Sequence, residues 1–204
     1  MNIVGNYQFP PDNDVRVLMM PYIQGDPTSL PDEIRGKGYD SFVSDFAIER
    51  GKLGFLTIDN LKVEAGSSQR GYGSVGRNIH TEACFHGGHG INWGNPSPSW
   101  GSSYTSGVTL DEDLKVLISN SIDNTCEVWD VKERLTSDGM VDPRGYDRGT
   151  GHAMKAGEVL EISIYNPHEC IPQDESGHRQ FIRIVGSGVH GRAPHFTRNP
   201  KIHD

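Results

Sequence analysis

Alternating apolar and polar positions dominate the chain after residue 50 and predict short β-strands. In the clearest case, Leu160, Ile162 and Ile164 fall on one face of an extended segment. The predicted strands are Lys52–Ile58 and Leu61–Glu64, separated by a turn at Asp59 and Asn60, then Leu114–Ser121, Thr125–Val131, Val159–Tyr165 and Gln180–Val185. Short strands at this spacing, joined by glycine-rich turns, indicate a mainly β antiparallel sandwich or barrel.

The pattern before residue 50 differs, because apolar residues recur there at helical spacing. Phe42, Val43, Phe46 and Ala47 predict a helix over 39–49, and Ser29 followed by acidic residues is typical of a helix start. We therefore expect one or two N-terminal helices in a single domain. Residues 1–50 would form a helical or extended support, residues 51–190 the β core and residues 191–204 a C-terminal tail.

Composition narrows the functional class. The 204 residues include 19 Lys and Arg against 27 Asp and Glu, and this net charge of −8 without basic clusters argues against nucleic acid as a partner. No apolar run is long enough to span a membrane, and the N-terminus carries no secretory signal pattern. The three cysteines, Cys84, Cys126 and Cys170, are widely spaced, which predicts a cytoplasmic protein with reduced thiols.

A pair of metal-ligand residues stands at the predicted end of a strand. His80 and Glu82 are two positions apart, so on an extended chain both point to one side. The predicted strand Val159–Tyr165 runs into residues 166–170, which places His168, a second imidazole, at the end of a core strand. Two imidazoles and one carboxylate form a facial triad, the ligand set of non-haem Fe(II) with open positions for a co-substrate and oxygen.

Together with an arginine beyond His168, this pattern resembles the Fe(II)/2-oxoglutarate-dependent oxygenases. That superfamily has an HxD or HxE pair, a distal histidine and an arginine about ten residues later. The resemblance covers roughly residues 50–190 and implies a double-stranded β-helix, a jelly-roll barrel. It implies that His80, Glu82 and His168 bind Fe(II), and that an arginine binds 2-oxoglutarate. The activity implied is oxidation of a small-molecule substrate, by hydroxylation or related C–H oxidation, with release of succinate and CO2.

Two arginines can supply the co-substrate contact. Arg179 has the family spacing, eleven residues after His168, and a guanidinium fork suits a carboxylate. Arg183 lies on the same strand face and is the alternative. The sequence departs from the family pattern at two points, since Glu82 replaces the commoner aspartate and no Arg-x-Ser signature follows Arg179.

The polar stretch from residue 86 to residue 107 predicts a functional loop, because structureless loops of this length are uncommon inside a compact domain. Its candidate substrate-contacting residues are His86, His89, Trp93 and Trp100. His86 and His89 also allow an alternative zinc triad with His80.

Two further functions fit the same pattern. A cupin-like metalloenzyme, an isomerase or dioxygenase, would use the His/Glu/His set without 2-oxoglutarate. A non-enzymatic jelly-roll module would instead bind a ligand or partner through the tryptophan-containing loop.

Overall fold

The protein is built mainly of antiparallel β-strands. The computed structural model describes residues 1–68, 77–82, 84–85, 91–92, 104–105, 114–133, 140–186 and 196–202. In chain order the strands are β1 Asn2–Asn6, β2 Arg16–Ile23, β3 Leu53–Val63, β4 Cys84–Phe85, β5 Ile91–Asn92, β6 Tyr104–Thr105, β7 Lys115–Asn120, β8 Cys126–Val128, β9 His152–Ala153, β10 Glu158–Ser163, β11 His168–Cys170 and β12 Gly177–Val185. Within these ranges the α-helix α1 spans Asp40–Asp45, and short 3-10 helices span Pro27–Ser29 and Pro143–Gly145.

Six strands form the larger sheet in the order β1-β10-β7-β12-β3-β2. Its centre is the ladder between β3 and β12, which stays in register from the Gly177–Val63 pair to the Val185–Phe55 pair. Both faces of this sheet are buried. On β12, Ile182 and Ile184 pack on one side while Phe181 and Val185 pack on the other.

The N-terminal region covers one face of the larger sheet. Phe42 and Val43 of α1 are fully buried there with Tyr39 and Leu30. Tyr7 N donates to the Gly157 carbonyl at 2.7 Å, and a Cβ on Gly157 would lie 2.4 Å from the Tyr7 carbonyl oxygen. Glycine is therefore required at this position of the turn that starts β10. Gly157 also has a positive φ of 79°.

The second face packs against a smaller sheet of three strands in the order β11-β8-β9. His80 extends this sheet, because it forms an isolated antiparallel bridge with His168 of β11. Between the two sheets lies an apolar cluster that includes Ile118, Ile162 and Phe181 from the larger sheet and Val128 from the smaller one. A third small sheet contains β4, β5 and β6.

The chain passes repeatedly between the two main sheets. After β3 in the larger sheet it reaches His80 beside the smaller one, then β7 in the larger, β8 and β9 in the smaller, β10 in the larger, β11 in the smaller and β12 in the larger. Within the described ranges the two sheets do not close into one barrel.

The prediction of a mainly β fold is confirmed, and several element boundaries need correction. The turn predicted at Asp59 and Asn60 is wrong, because β3 runs through both residues. Their polar side chains are buried and form hydrogen bonds with the N-terminal region. Asp59 accepts a hydrogen bond from Arg16 at 2.9 Å, and Asn60 donates to the Asn13 carbonyl. The support predicted for residues 1–50 also supplies both edge strands of the larger sheet.

The helix predicted over 39–49 is limited to the six residues of α1. Phe46 leaves helical geometry with φ −113° and ψ 123°, and its ring packs against Phe42 with centroids 5.1 Å apart. Ser29 ends a 3-10 turn rather than starting an α-helix. In the described part of the chain, no helix has the length and apolar character needed to cross a membrane.

Candidate functional site

His80 and His168 are brought together by their backbones. His80 N donates to the His168 carbonyl at 3.0 Å, and His168 N donates to the His80 carbonyl at 2.8 Å. The two imidazole rings lie side by side with centroids 4.3 Å apart. Residues 88 positions apart in the sequence are therefore held together by a two-way main-chain hydrogen bond.

His168 was predicted at the end of the preceding core strand, and this placement is wrong. That strand, β10, ends at Ser163, and the chain turns at Asn166 before entering the smaller sheet at His168. Asn166 stabilises the turn, because Ser163 N donates to its Oδ1 at 2.7 Å and its Nδ2 donates to the Val131 carbonyl at 2.9 Å. The Asn166-Pro167 dipeptide is a turn signal that the sequence does contain.

The Nδ1 atoms of both histidines face backbone carbonyls two residues earlier. His80 Nδ1 lies 2.9 Å from the Asn78 oxygen, and His168 Nδ1 lies 3.1 Å from the Asn166 oxygen. Because a carbonyl oxygen only accepts, the proton of each neutral ring is assigned to Nδ1, and the lone pair that can bind a metal is then on Nε2. Histidines that bind metals usually make this type of second contact.

Glu82 joins the histidines at the same place. Its backbone N donates to the Ile164 carbonyl at 3.1 Å, and its side chain is buried. Glu82 Oε1 lies 3.3 Å from His168 Nε2, and His168 Nε2 has no hydrogen-bond partner in the described part of the chain. With the proton on Nδ1, a lone pair and a carboxylate oxygen face each other, and a cation between them would remove the repulsion.

Arg183 holds the second oxygen of Glu82. Its Nη1 donates to Glu82 Oε2 at 2.6 Å, and its Nη2 lies 3.2 Å from Met19 Sδ and 3.4 Å from Thr57 Oγ1. The guanidinium is almost fully buried, as is the carboxylate. One oxygen of Glu82 is thus fixed by a charged hydrogen bond while the other points toward His168.

Met19 reaches this site through a bulge in β2. The register of β2 against β3 shifts between Val17 and Met20, and Met19 has a φ of 46°, which is uncommon for a residue with a side chain. Its N–H donates to Thr57 Oγ1 at 3.1 Å. Neither Met19 nor Thr57 could be predicted from the sequence, because neither residue type signals a bulge or a site.

Arg179 lies on the same face of β12 as Arg183 but has different neighbours. Its Nε donates to Thr125 Oγ1 at 2.9 Å, and its Nη1 lies 3.7 Å from Cys170 Sγ. The guanidinium also stands 5.8 Å from the centroid of the Phe181 ring. The side chain is buried, with 2% of its surface exposed. Arg179 therefore contacts the strands of the smaller sheet, while Arg183 contacts a candidate metal ligand.

The donor set partly fits a metal ion. Two ligand atoms bound about 2.1 Å from one ion at a right angle lie about 3 Å apart, close to the separation of Glu82 Oε1 and His168 Nε2. The lone pairs, the carboxylate and the carbonyl contacts at both Nδ1 atoms are the right chemistry for Fe(II). However, no group of three or more His, Cys, Asp or Glu side chains among the described residues is arranged to hold a metal ion.

The other predicted residues belong to a part of the chain that is not described. His86, His89, Trp93 and Trp100 lie outside the described residues, and so does the zinc triad that would combine two of them with His80. Of the predicted loop 86–107, only the short strands β5 and β6 are described.

A second buried charged group lies on the opposite face of the smaller sheet. Glu169 alternates with His168 and Cys170 along β11 and therefore points away from the larger sheet. Its carboxylate has no exposed surface and forms ion pairs with Arg77 at 2.6 Å and Arg148 at 2.7 Å. Burial alone would raise the pKa of Glu169, but hydrogen bonds and charge from Arg148 and Arg77 outweigh it and hold the pKa below its ordinary value.

Glu127 is directly opposite Glu169 on β8 and is also buried. Its Oε1 accepts backbone hydrogen bonds from Gly149 at 2.8 Å and Gly151 at 2.7 Å. The sequence does not single out this outer group, although a glutamate inside a predicted strand, as Glu127 is in Thr125–Val131, is a signal for a buried and paired charge.

Comparisons of the chain with protein-family models, with curated proteins and with solved structures found no match.

Proposed function

We propose that this protein is an Fe(II)- and 2-oxoglutarate-dependent oxygenase that oxidises a small molecule, with His80, Glu82 and His168 as the metal ligands. The observation that carries the proposal is the contact of His168 Nε2 with Glu82 Oε1 at 3.3 Å, next to the His80 ring. Bound Fe(II) would supply the oxygen chemistry. The residues of this chain would bind and orient the reactants.

The path of the chain supports a jelly-roll arrangement for this proposal. From β3 to β12, the small third sheet apart, the chain passes back and forth between two packed antiparallel sheets, with β8 and β9 consecutive in the smaller one. His80 and His168 meet as neighbours at the edge of that smaller sheet. A jelly roll is wound in this way. In this arrangement the three candidate ligands would lie in the space between the sheets.

Arg179 is the better candidate for binding the far carboxylate of 2-oxoglutarate. The charge of Arg183 is balanced by Glu82 at 2.6 Å, so its role would be to hold the ligand carboxylate in one orientation. Arg179 donates to the uncharged Thr125 hydroxyl and contacts the Cys170 thiol. Exchanging such contacts for a carboxylate would yield a stronger, charge-assisted pair.

Metal and co-substrate binding can be tested without knowing the substrate. The melting temperature of the purified protein would be measured under anaerobic conditions with Fe(II), 2-oxoglutarate and N-oxalylglycine, and succinate would be measured in air. We expect stabilisation by Fe(II) and a further increase with either 2-oxo compound. His168→Ala should remove both effects, while His178→Ala, at an exposed position of β12, should keep them.

The outcomes separate the three functions. Stabilisation by Fe(II) without any effect of 2-oxoglutarate would favour the cupin-like metalloenzyme. Absence of a metal effect in the native protein would contradict both enzymes and favour a non-enzymatic binding module.

The roles of Arg179 and Arg183 can be distinguished by the same melting-temperature measurement. Arg179→Gln should raise the 2-oxoglutarate concentration needed for half-maximal stabilisation by about ten-fold or more, since a charged hydrogen bond contributes about 1.5–3 kcal/mol. Arg183→Gln should instead weaken the Fe(II) effect, because it releases Glu82. The reverse result would assign co-substrate binding to Arg183.

A further inference from the structure

Two of the three cysteines are direct neighbours across the smaller sheet. Cys126 of β8 and Cys170 of β11 are opposite each other in the strand register, and both are buried thiols. Cys126 belongs to the apolar cluster between the sheets, so this pair points inward. We name Cys126 and Cys170 the cysteine pair.

The backbone hydrogen bonds beside the cysteine pair show which kind of position it occupies in the antiparallel ladder. Ile171 N donates to the Thr125 carbonyl at 2.9 Å, and Trp129 N donates to the Pro167 carbonyl at 3.0 Å. Because hydrogen-bonded and non-hydrogen-bonded positions alternate in an antiparallel ladder, the cysteine pair occupies a non-hydrogen-bonded position. Cα atoms at such positions are about 4.5 Å apart, with the side chains close together.

That separation lies within the range of disulfides, which join Cα atoms about 4.4–6.8 Å apart. The thiols also have a charged neighbour, since Arg179 Nη1 lies 3.7 Å from Cys170 Sγ. A guanidinium at this position stabilises negative charge that develops on sulfur during reaction. Backbone register, side-chain direction and a cationic neighbour thus favour oxidation of these two thiols with each other.

We propose that Cys126 and Cys170 are a redox modification site, which hydrogen peroxide or another small hydroperoxide converts to a cross-strand disulfide. The sulfur of one thiol attacks a peroxide oxygen, the O–O bond breaks, and the thiol proton leaves with the departing oxygen as water when the oxidant is hydrogen peroxide. The resulting sulfenic acid is attacked by the second sulfur, which forms the S–S bond and releases a second water. Two thiols are oxidised and one peroxide is reduced.

The disulfide would have a local consequence. It would tie β8 covalently to the strand that begins with His168, and it would remove the thiol next to Arg179. The proposed oxidation does not depend on the proposed oxygenase activity, because it rests on the strand register of the two cysteines, the direction of their side chains and the Arg179 contact.

Peptide mapping tests the proposal directly. The native protein would be treated with hydrogen peroxide, blocked with N-ethylmaleimide and digested with trypsin, which separates the cysteines into the fragments 78–115, 116–132 and 156–179. We expect a linked species of fragments 116–132 and 156–179 that dithiothreitol releases. A Cys84→Ser variant should give the same product, and a Cys126→Ala variant should not.

The unfolded chain provides a matched control. Cys84 and Cys126 are 42 positions apart, and the cysteine pair is separated by 44, so chain entropy favours the two loops about equally. Peroxide treatment in urea should therefore give comparable amounts of both disulfides, whereas the folded protein should give the Cys126–Cys170 product alone. Linkage through Cys84 in the folded protein, or sulfinic acid formation at Cys126 or Cys170 without linkage, would overturn the proposal.

Discussion

The smaller sheet has an inner face, which packs against the larger sheet, and an outer face, which points away from it. The two faces hold buried charge in different ways. On the outer face, the Glu169 carboxylate is met by two guanidiniums within 2.7 Å. On the inner face, His168 Nε2 is buried 3.3 Å from a carboxylate oxygen without a hydrogen bond from the described residues. A buried group whose partners are all present contributes to folding, while a buried group that lacks one suggests a ligand to be bound.

The largest expected effect concerns the outer face. Glu169→Gln keeps the shape of the side chain but leaves Arg77 and Arg148 without their common carboxylate. We expect a loss of about 2–4 kcal/mol in the free energy of unfolding, at the lower part of the range for buried pairs because both arginines retain some solvent contact. Urea denaturation would measure it.

A matched control for this variant is Glu161→Gln, which removes a surface ion pair with Lys115. That change should cost less than about 1 kcal/mol. Equal losses in the free energy of unfolding for the two variants would show that burial does not make the ion pairs of Glu169 stronger than a surface pair.

The second prediction follows from the lowered pKa of Glu169. A carboxyl whose pKa is lower in the folded state than in the unfolded one stabilises the fold above its ordinary value near 4.5, and this contribution disappears as the pH falls through the lowered pKa. The native protein should therefore lose stability more steeply than Glu169→Gln below about pH 4.5. The difference should be about 1.4 kcal/mol for each pH unit by which the pKa of Glu169 is lowered. Parallel acid profiles of the two proteins would contradict this prediction.

A smaller effect on the free energy of unfolding should distinguish Arg77 from Arg148. The side chain of Arg77 is 23% exposed and that of Arg148 is 42% exposed, so water screens the Arg148 pair more. Arg77→Gln should cost about 1–2 kcal/mol and Arg148→Gln about half as much. Denaturant unfolding of both variants checks the order, and a larger cost for Arg148→Gln would reverse our assignment of the dominant partner.

The smallest effect on stability is expected on the inner face. His168→Asn keeps an N–H donor where Nδ1 faces the Asn166 carbonyl and removes the buried Nε2 atom, which lacks a hydrogen-bond partner among the described residues, so the free energy of unfolding without metal should change by less than about 1 kcal/mol. Any stabilisation by Fe(II) should disappear. A loss as large as that of Glu169→Gln would indicate that His168 is a structural residue and would remove the contrast between the two faces.

The β character and the identity of the candidate ligands could be read from the sequence, because alternation and residue type carry that information. The strands around Leu160, Ile162 and Ile164 follow from their apolar period. His80, Glu82 and His168 stand out because two imidazoles and a carboxylate at strand ends are a known ligand set.

The details that depend on distant partners could not be read in this way. Asp59 and Asn60 look like a turn locally, but Arg16 and Asn13 satisfy their side chains inside β3. The bulge that brings Met19 to Arg183 has no local signal, because it is set by pairing with β3. The pairing of Glu169 with Arg77 joins residues 92 positions apart and follows only from the sheet order.

The central ladder also has a consequence for how the chain acquires its site. Val185 pairs with Phe55, 130 positions earlier, and β12 lies between β3 and β7 in the larger sheet. Contacts between such distant segments cost much chain entropy before they stabilise anything, which slows folding. During synthesis β3 must wait for nearly the whole described chain to emerge before its central partner exists. Arg179 and Arg183 arrive on that last strand, so the candidate site would be completed in one of the final steps of folding.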